Sequence, residues 1–198
     1  GRGLFGPLRE AFAGAWQRNI EVDGLNTLIG FSPIYACVSR IARDISKLDI
    51  RLLERRPDET WQPATSMSPY WIPLRRPNGY QNRIQFVMAW LLSKLLHGNT
   101  YVLKVRDQRG IVAAWHILDP RRVTPLVTPA GDVYYSLGSD DLAGQNRGIA
   151  AAPATEIIHD RDVTLWHPLV GVSPIHACAL SASQGLRIQH NSATFFQN

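Results

Sequence analysis

The chain has 198 residues, 45% of them hydrophobic, with a net charge of +5 and a sequence pI near 9.6. That is enough chain for one sizeable core or two small ones, and its two cysteines, Cys37 and Cys178, exclude a disulfide framework or a zinc spacing. Charged residues make up 19%, below the roughly 25% of an average soluble domain, as expected of a subunit whose surface is largely interface.

Residues 1–31 read as an arm and connector. Leu4, Leu8, Phe12 and Trp16 recur at every fourth position, with Arg2, Arg9 and Arg18 elsewhere, which predicts a short amphipathic helix. Such a helix docks on its own body, on a neighbour or on a membrane surface; protein docking is the expected case. No apolar run reaches the roughly 18 residues that span a bilayer, and the first residues lack a secretory h-region.

A helix is then predicted from Ser32 as N-cap, with Pro33 in its first turn. Ile34, Val38, Ile41, Ile45 and Leu48 form its apolar seam, and Cys37, like Cys178 further on, is expected as a buried free thiol. A strand at Ile50–Leu53, a charged turn at Pro57-Asp58 and a return strand near Trp61 follow. Pro77-Asn78-Gly79 then breaks the chain, because the residue before proline is held extended and Asn-Gly favours a turn. The next helix has no charge from Phe86 to Leu92 and is expected to be buried on several sides, ending at Gly98-Asn99. Alternation at Tyr101, Leu103 and Val105 starts a strand, with a hairpin loop at Asp107–Gly110 and a return over Ile111–Leu118. Val123–Thr128 and Val133–Leu137 make a second hairpin, residues 138–155 a mobile loop, and Glu156–His159 one more strand.

The last helix is predicted from about Ser173 to Gln197. Ile175, Ala179, Ala182, Leu186, Gln189, Ala193 and Phe196 follow a four-three spacing and make a coiled-coil-like packing seam of mostly small residues. Its only full charge is Arg187, and its other face carries Ser181, Ser183, Gln184, Asn191 and Ser192. An ordinary surface helix usually carries Glu and Lys pairs. A near-neutral face also suits a passage through which DNA slides, since each strong phosphate contact adds affinity.

Catalytic chemistry is not legible. Gly1, Gly3 and Gly6 spell a dinucleotide fingerprint with no strand before it, and Gly171-Val172-Ser173 lacks the second glycine of a nucleophile elbow. There is no P-loop, and His159, His167 and His176 have no helical zinc spacing. Glu156 and His159 would be an acid–base pair only if a third group oriented them. No catalytic residue, metal or cofactor is expected.

Several spellings resemble one family, the HK97-type portal proteins of tailed bacteriophages: Tyr35-Ala36-Cys37-Val38; the turn from Leu74 to Gln81 with Arg76-Pro77-Asn78; Gly98-Asn99-x-Tyr101; Leu118-Asp119-Pro120-x-x-Val123; and Gly171-Val172-Ser173-Pro174. Phe195-Phe196 stands where the family pattern continues with glycine into a clip. The resemblance covers residues 32–198 and implies an α+β fold: a mixed α/β wing with small antiparallel hairpins over 32–171, then the first stem helix over 172–198. It implies a non-enzymatic ring of twelve subunits at one capsid vertex, assembled in the host cytoplasm, through which double-stranded DNA is packaged and ejected. Implied partners are terminase, major capsid protein, scaffold and head-completion or adaptor proteins, with no membrane. Gln184, Arg187 and Asn191 are then the candidate channel face. The runner-up is a stand-alone basic domain that grips DNA through Arg55-Arg56, Arg75-Arg76 and Arg121-Arg122; a hydrolase ranks third.

Overall fold

The computed structural model describes residues 9–10, 31–64, 68, 70–138 and 151–197. In chain order the elements are β1 (Arg9–Glu10), α1 (Ser32–Ser46), β2 (Leu53–Arg55), β3 (Trp61–Pro63), α2 (Trp71–Arg75), α3 (Arg83–His97), β4 (Asn99–Arg106), β5 (Val112–Leu118), β6 (Val123–Val127), β7 (Val133–Leu137), β8 (Ala151–Pro153), β9 (Ile157–Arg161) and α4 (Pro174–Gln197). The class is α+β.

Two antiparallel sheets build the body, one ordered β5-β4-β9 and the other β1-β6-β7-β8. Period-two alternation decides what faces what. Tyr101, Leu103, Leu118 and Ile157 from the first sheet and Val123, Tyr135, Leu137 and Ala152 from the second form one buried cluster. The opposite face of β4 turns Thr100 and Val102 towards α3, both fully buried. There the Thr100 hydroxyl donates to the Trp90 carbonyl at 2.7 Å, and Ser93 donates to the Asn99 carbonyl at 2.9 Å. These bonds tie the helix to the strand that immediately follows it.

The Pro77-Asn78 turn explains why α3 starts where it does. Trp115 N–H donates to the Pro77 carbonyl at 2.7 Å, and the Asn78 amide donates to the Trp115 carbonyl at 2.9 Å, so the turn extends the β5 edge. The Asn78 side-chain oxygen accepts from the N–H groups of Tyr80 and Gln81. Asn82 and Gln85 then close a reciprocal capping box at the α3 N-terminus. At its other end Gly98 takes the left-handed conformation, φ 72°, and its N–H closes the helix on Lys94. The helix is packed by α1, α4, β4 and β5, with Phe86 and Ser93 buried.

Several expectations change. Phe31, not Ser32, occupies the N-cap of α1; Phe31 is extended there and no side chain caps the turn. The helix packs against α3, and its buried residues are the small Ala42 and Ser46. Ile41, Ile45 and Leu48 of the expected seam are instead 43%, 41% and 62% exposed. Cys37 and Cys178 are exposed, not buried. The first hairpin strand begins at Leu53, three residues later than Ile50. The short α2 had no periodicity to announce it. Of the expected loop, residues 139–150 lie outside the described residues, and Ala151–Pro153 pair with β7 as β8. The helix expected over Leu4, Leu8, Phe12 and Trp16 also lies outside the described residues. Arg9 and Glu10 alone are described there; they are extended and pair with Val127 and Leu126. Among the described residues no helix is long and apolar enough to cross a membrane.

Candidate functional site: the anchored start of the last helix

Helix α4 runs for 24 residues, about 36 Å at the α-helical rise. Its start is fixed by Ser173, whose hydroxyl accepts from Ile175 N–H at 3.1 Å and donates to the Leu95 carbonyl at 2.7 Å. The Ser-Pro spelling therefore does cap this helix, and it also fastens it to the last turn of α3.

Just upstream, two backbones touch. A Cβ on Gly171 would lie 2.0 Å from the Gly98 carbonyl oxygen, and one on Gly98 would lie 2.5 Å from the Gly171 oxygen and 2.6 Å from Ser173 N. Only glycine fits at either position, and Gly98 additionally needs its positive φ. The Gly98 carbonyl accepts from Asp162 N–H at 2.9 Å.

Asn99 locks this crossing. Its side-chain oxygen accepts from Gly171 N–H at 2.9 Å and from His159 Nε2 at 3.0 Å; its amide donates to the carbonyls of Gly171 and His97. A backbone N–H can only donate, so the Gly171 contact orients the Asn99 amide. His159 must then carry its proton on Nε2, and its Nδ1 accepts from the Tyr135 hydroxyl at 3.1 Å. The imidazole also stacks 4.2 Å from the Tyr101 ring. Burial, reinforced by the Arg161 charge, lowers the His159 pKa to about 3 against an opposing pull from Asp160, so the ring is neutral. Burial also raises the phenol pKa values of Tyr101 and Tyr135. The neighbouring Asp160 accepts from Trp90 Nε1 and pairs with Lys94, each at 2.8 Å, clamping β9 to α3.

The packing seam of α4 splits in two. Ile175 and Ala182 are buried and Leu186 is half-buried, packed with Phe31, Ile34, Val38 and Leu96. The Ala179 side chain lies outside the described residues. Gln189, Ala193 and Phe196 of the same stripe are exposed, Phe196 by 84%. Contact with the body ends near Gly185, where a Cβ would meet the Phe31 ring at 2.8 Å. Beyond it the helix stands clear. Gln184, Arg187 and Asn191 are all exposed, on the side away from Ile175 and Ala182.

The remaining candidates do not converge. His159 is absorbed in the Asn99 network, His167 accepts from Leu169 N–H, and His176 meets the Trp166 ring edge-on. Glu156 pairs with Arg106 at 2.9 Å, not with His159. Among the described residues no group of three or more His, Cys, Asp or Glu side chains could hold a metal ion. Arg121 forks onto Asp119, Arg55 pairs with Glu59, and Arg75 lies over the Trp71 ring. The parts that sequence reasoning missed are Phe31, Gly185, Tyr135 and the place of His159 in the Asn99 network. Of these only the lone mid-helix glycine left a signal.

Comparison with known proteins gives the family and the fold. The family model described as "Phage portal protein" matches residues 32–198. Three solved structures contain a chain of similar fold. In the neck of an empty gene transfer agent particle computed with C6 symmetry, the TM-score is 0.65 at 18% identity, covering 88% of this chain and 46% of that one. In the neck of the native particle computed with C12 symmetry it is 0.62 at 19%, covering 89% and 46%. In the virion of the native particle it is 0.65 at 20%, covering 88% and 45%. This chain therefore spans less than half the length of the chains it matches. No curated protein matches it. On the family match over residues 32–198, the chain belongs to the phage portal protein family.

Proposed function

We propose that this chain is the α/β wing (residues 32–171) and first stem helix (172–198) of a ring-forming portal subunit, preceded by an arm over 1–31. The observation that carries the reading is α4: one side is bonded into the body at Ser173 and Gly171, while the opposite side presents Gln184, Arg187 and Asn191 to solvent with a single charge. A helix fixed at one end and near-neutral on its free face suits a passage for double-stranded DNA. Few cations mean few released counterions and little grip. Its likeness in fold to a chain of a particle neck computed with C12 symmetry supports a ring of twelve copies.

In this reading the ring occupies one capsid vertex of a virion and is assembled in the host cytoplasm. DNA enters and leaves through the axis without chemistry by these residues. Terminase docks during packaging and head-completion or tail proteins afterwards, while the outer body meets major capsid protein and scaffold. A DNA-gripping domain is the weaker reading, because Arg55, Arg75 and Arg121 are engaged within the chain at separate places. Native mass spectrometry of the full-length protein tests the ring: a closed multimer near twelve subunits is expected, and monomers alone at high concentration would refute it.

A further inference from the structure

Among the described residues the strands β2 and β3 form a two-stranded sheet with no third strand. Every residue in it is exposed except the half-buried Gln62. The tip is well made: Arg56 N–H donates to the Thr60 carbonyl at 2.9 Å, Asp58 accepts from Thr60, and Glu59 takes a left-handed φ of 65°. The register pairs Leu53 with Pro63, Glu54 with Gln62 and Arg55 with Trp61. Residues directly opposite share a face, so one face carries Leu53, Pro63, Arg55 and Trp61 and the other Glu54 and Gln62. Leu53 is 47% and Trp61 63% exposed. An isolated two-stranded ribbon is marginal in water unless something covers its apolar face.

The same chain carries a second uncovered apolar surface. A cleft of about 320 Å³ opens between α2, α3 and β5, lined by Ile50, Leu74, Phe86, Val87, Trp90 and Trp115. Ile50 places the cleft beside the root of the ribbon, yet the ribbon stands away from its own chain's cleft.

We propose that the ribbon is an intersubunit arm: its Leu53–Trp61 face seats in the cleft of a second copy of this chain. Donor and receptor are different surfaces, so the contact is head-to-tail, the kind that closes rings when the rotation permits. Adjacent copies in a ring supply the occupant; the inference therefore rests on the ring reading above.

The test uses the full-length protein. Native mass spectrometry compares the parent with a Leu53→Asp/Trp61→Asp variant, and thermal melts of the dissociated subunits check folding. Both positions are exposed, so the variant subunit should melt with the parent while its assembled fraction falls at least tenfold. A second variant, Trp61→Cys/Val87→Cys with Cys37→Ser and Cys178→Ser, should give an oxidised ladder of dimers, trimers and higher species on denaturing gels. If the parent forms a ring and the Asp variant forms it equally well, the ribbon proposal is wrong and the ring reading stands. A product that stops at dimers, or crosslinks to capsid protein in assembled heads, also overturns it. If the parent forms no ring, both readings fall.

Discussion

The carbonyl oxygen of Gly98 occupies the space that a side chain on Gly171 would need: a Cβ there would stand 2.0 Å away. Neither backbone can retreat, because Asn99 bonds both the N–H and the carbonyl of Gly171 and Asp162 N–H holds Gly98. Gly171→Ala should therefore cost about 3 kcal/mol, as overpacking in a rigid site does, and Gly98→Ala at least as much because it adds strain at positive φ. Urea unfolding of the two variants checks this. Losses under about 0.5 kcal/mol, the range of an unconstrained surface change, would mean the crossing yields.

The two Ser-Pro helix starts should behave differently. Ser173→Ala removes a cap and a bond to Leu95, and about 1–2 kcal/mol should be lost. Ser32→Ala should stay within about 0.5 kcal/mol, since Phe31 holds the N-cap of α1. Thermal melts of both variants side by side decide the point; equal shifts would contradict the assignment.

His159 makes stability depend on pH in a definite direction. Its folded pKa, near 3, lies below the ordinary value of 6.5. Between those values the unfolded chain binds a proton that the folded chain does not. The stabilisation is complete above pH 6.5 and is lost as pH falls towards 3, with a slope of at most about 1.4 kcal/mol per unit. His159→Gln should be less stable at pH 7 and should show a flatter decline between pH 6.5 and 3. Denaturant midpoints across that range provide the measurement. Parallel curves for parent and variant would show that another group governs acid loss.

Gln184→Lys/Asn191→Lys tests the free face of α4. Both residues are exposed, so folding and ring assembly should be unchanged. Packaging or ejection should slow, most at low salt where screening is weakest. Protected DNA per head, followed across a salt series, reads the effect. Identical salt curves for parent and variant would place DNA elsewhere.

Local chemistry was the legible part of this fold. The turn before α3, its end at Gly98, both hairpins of the body and the Ser173 start of α4 each follow from residues a few positions apart. What was not legible depends on contacts across the chain. The apolar stripe of α1 was visible, but that Ala42 and Ser46 are its buried residues is set by how the helix approaches its neighbours, which periodicity does not encode. Asn99 and Gly171 are 72 positions apart, so a family spelling could mark each while hiding the bond between them. The seam of α4 reads as continuous through Phe196, yet its burial stops where Phe31 meets Gly185, because the neighbouring body ends there.

Helix α4 is packed on the body through Leu186, and Gln189, Asn191, Ala193 and Phe196 beyond it are exposed. A sideways load on Asn191 or Phe196 acts with a lever arm of several turns on the Gly98–Gly171 crossing. Neither glycine at that joint has a side chain that can change rotamer to absorb the torque; the joint is held by main-chain bonds and by Asn99 of β4, which also bonds His159 of β9. A displacement of the exposed half of α4 therefore reaches the β5-β4-β9 sheet through Asn99 and His159.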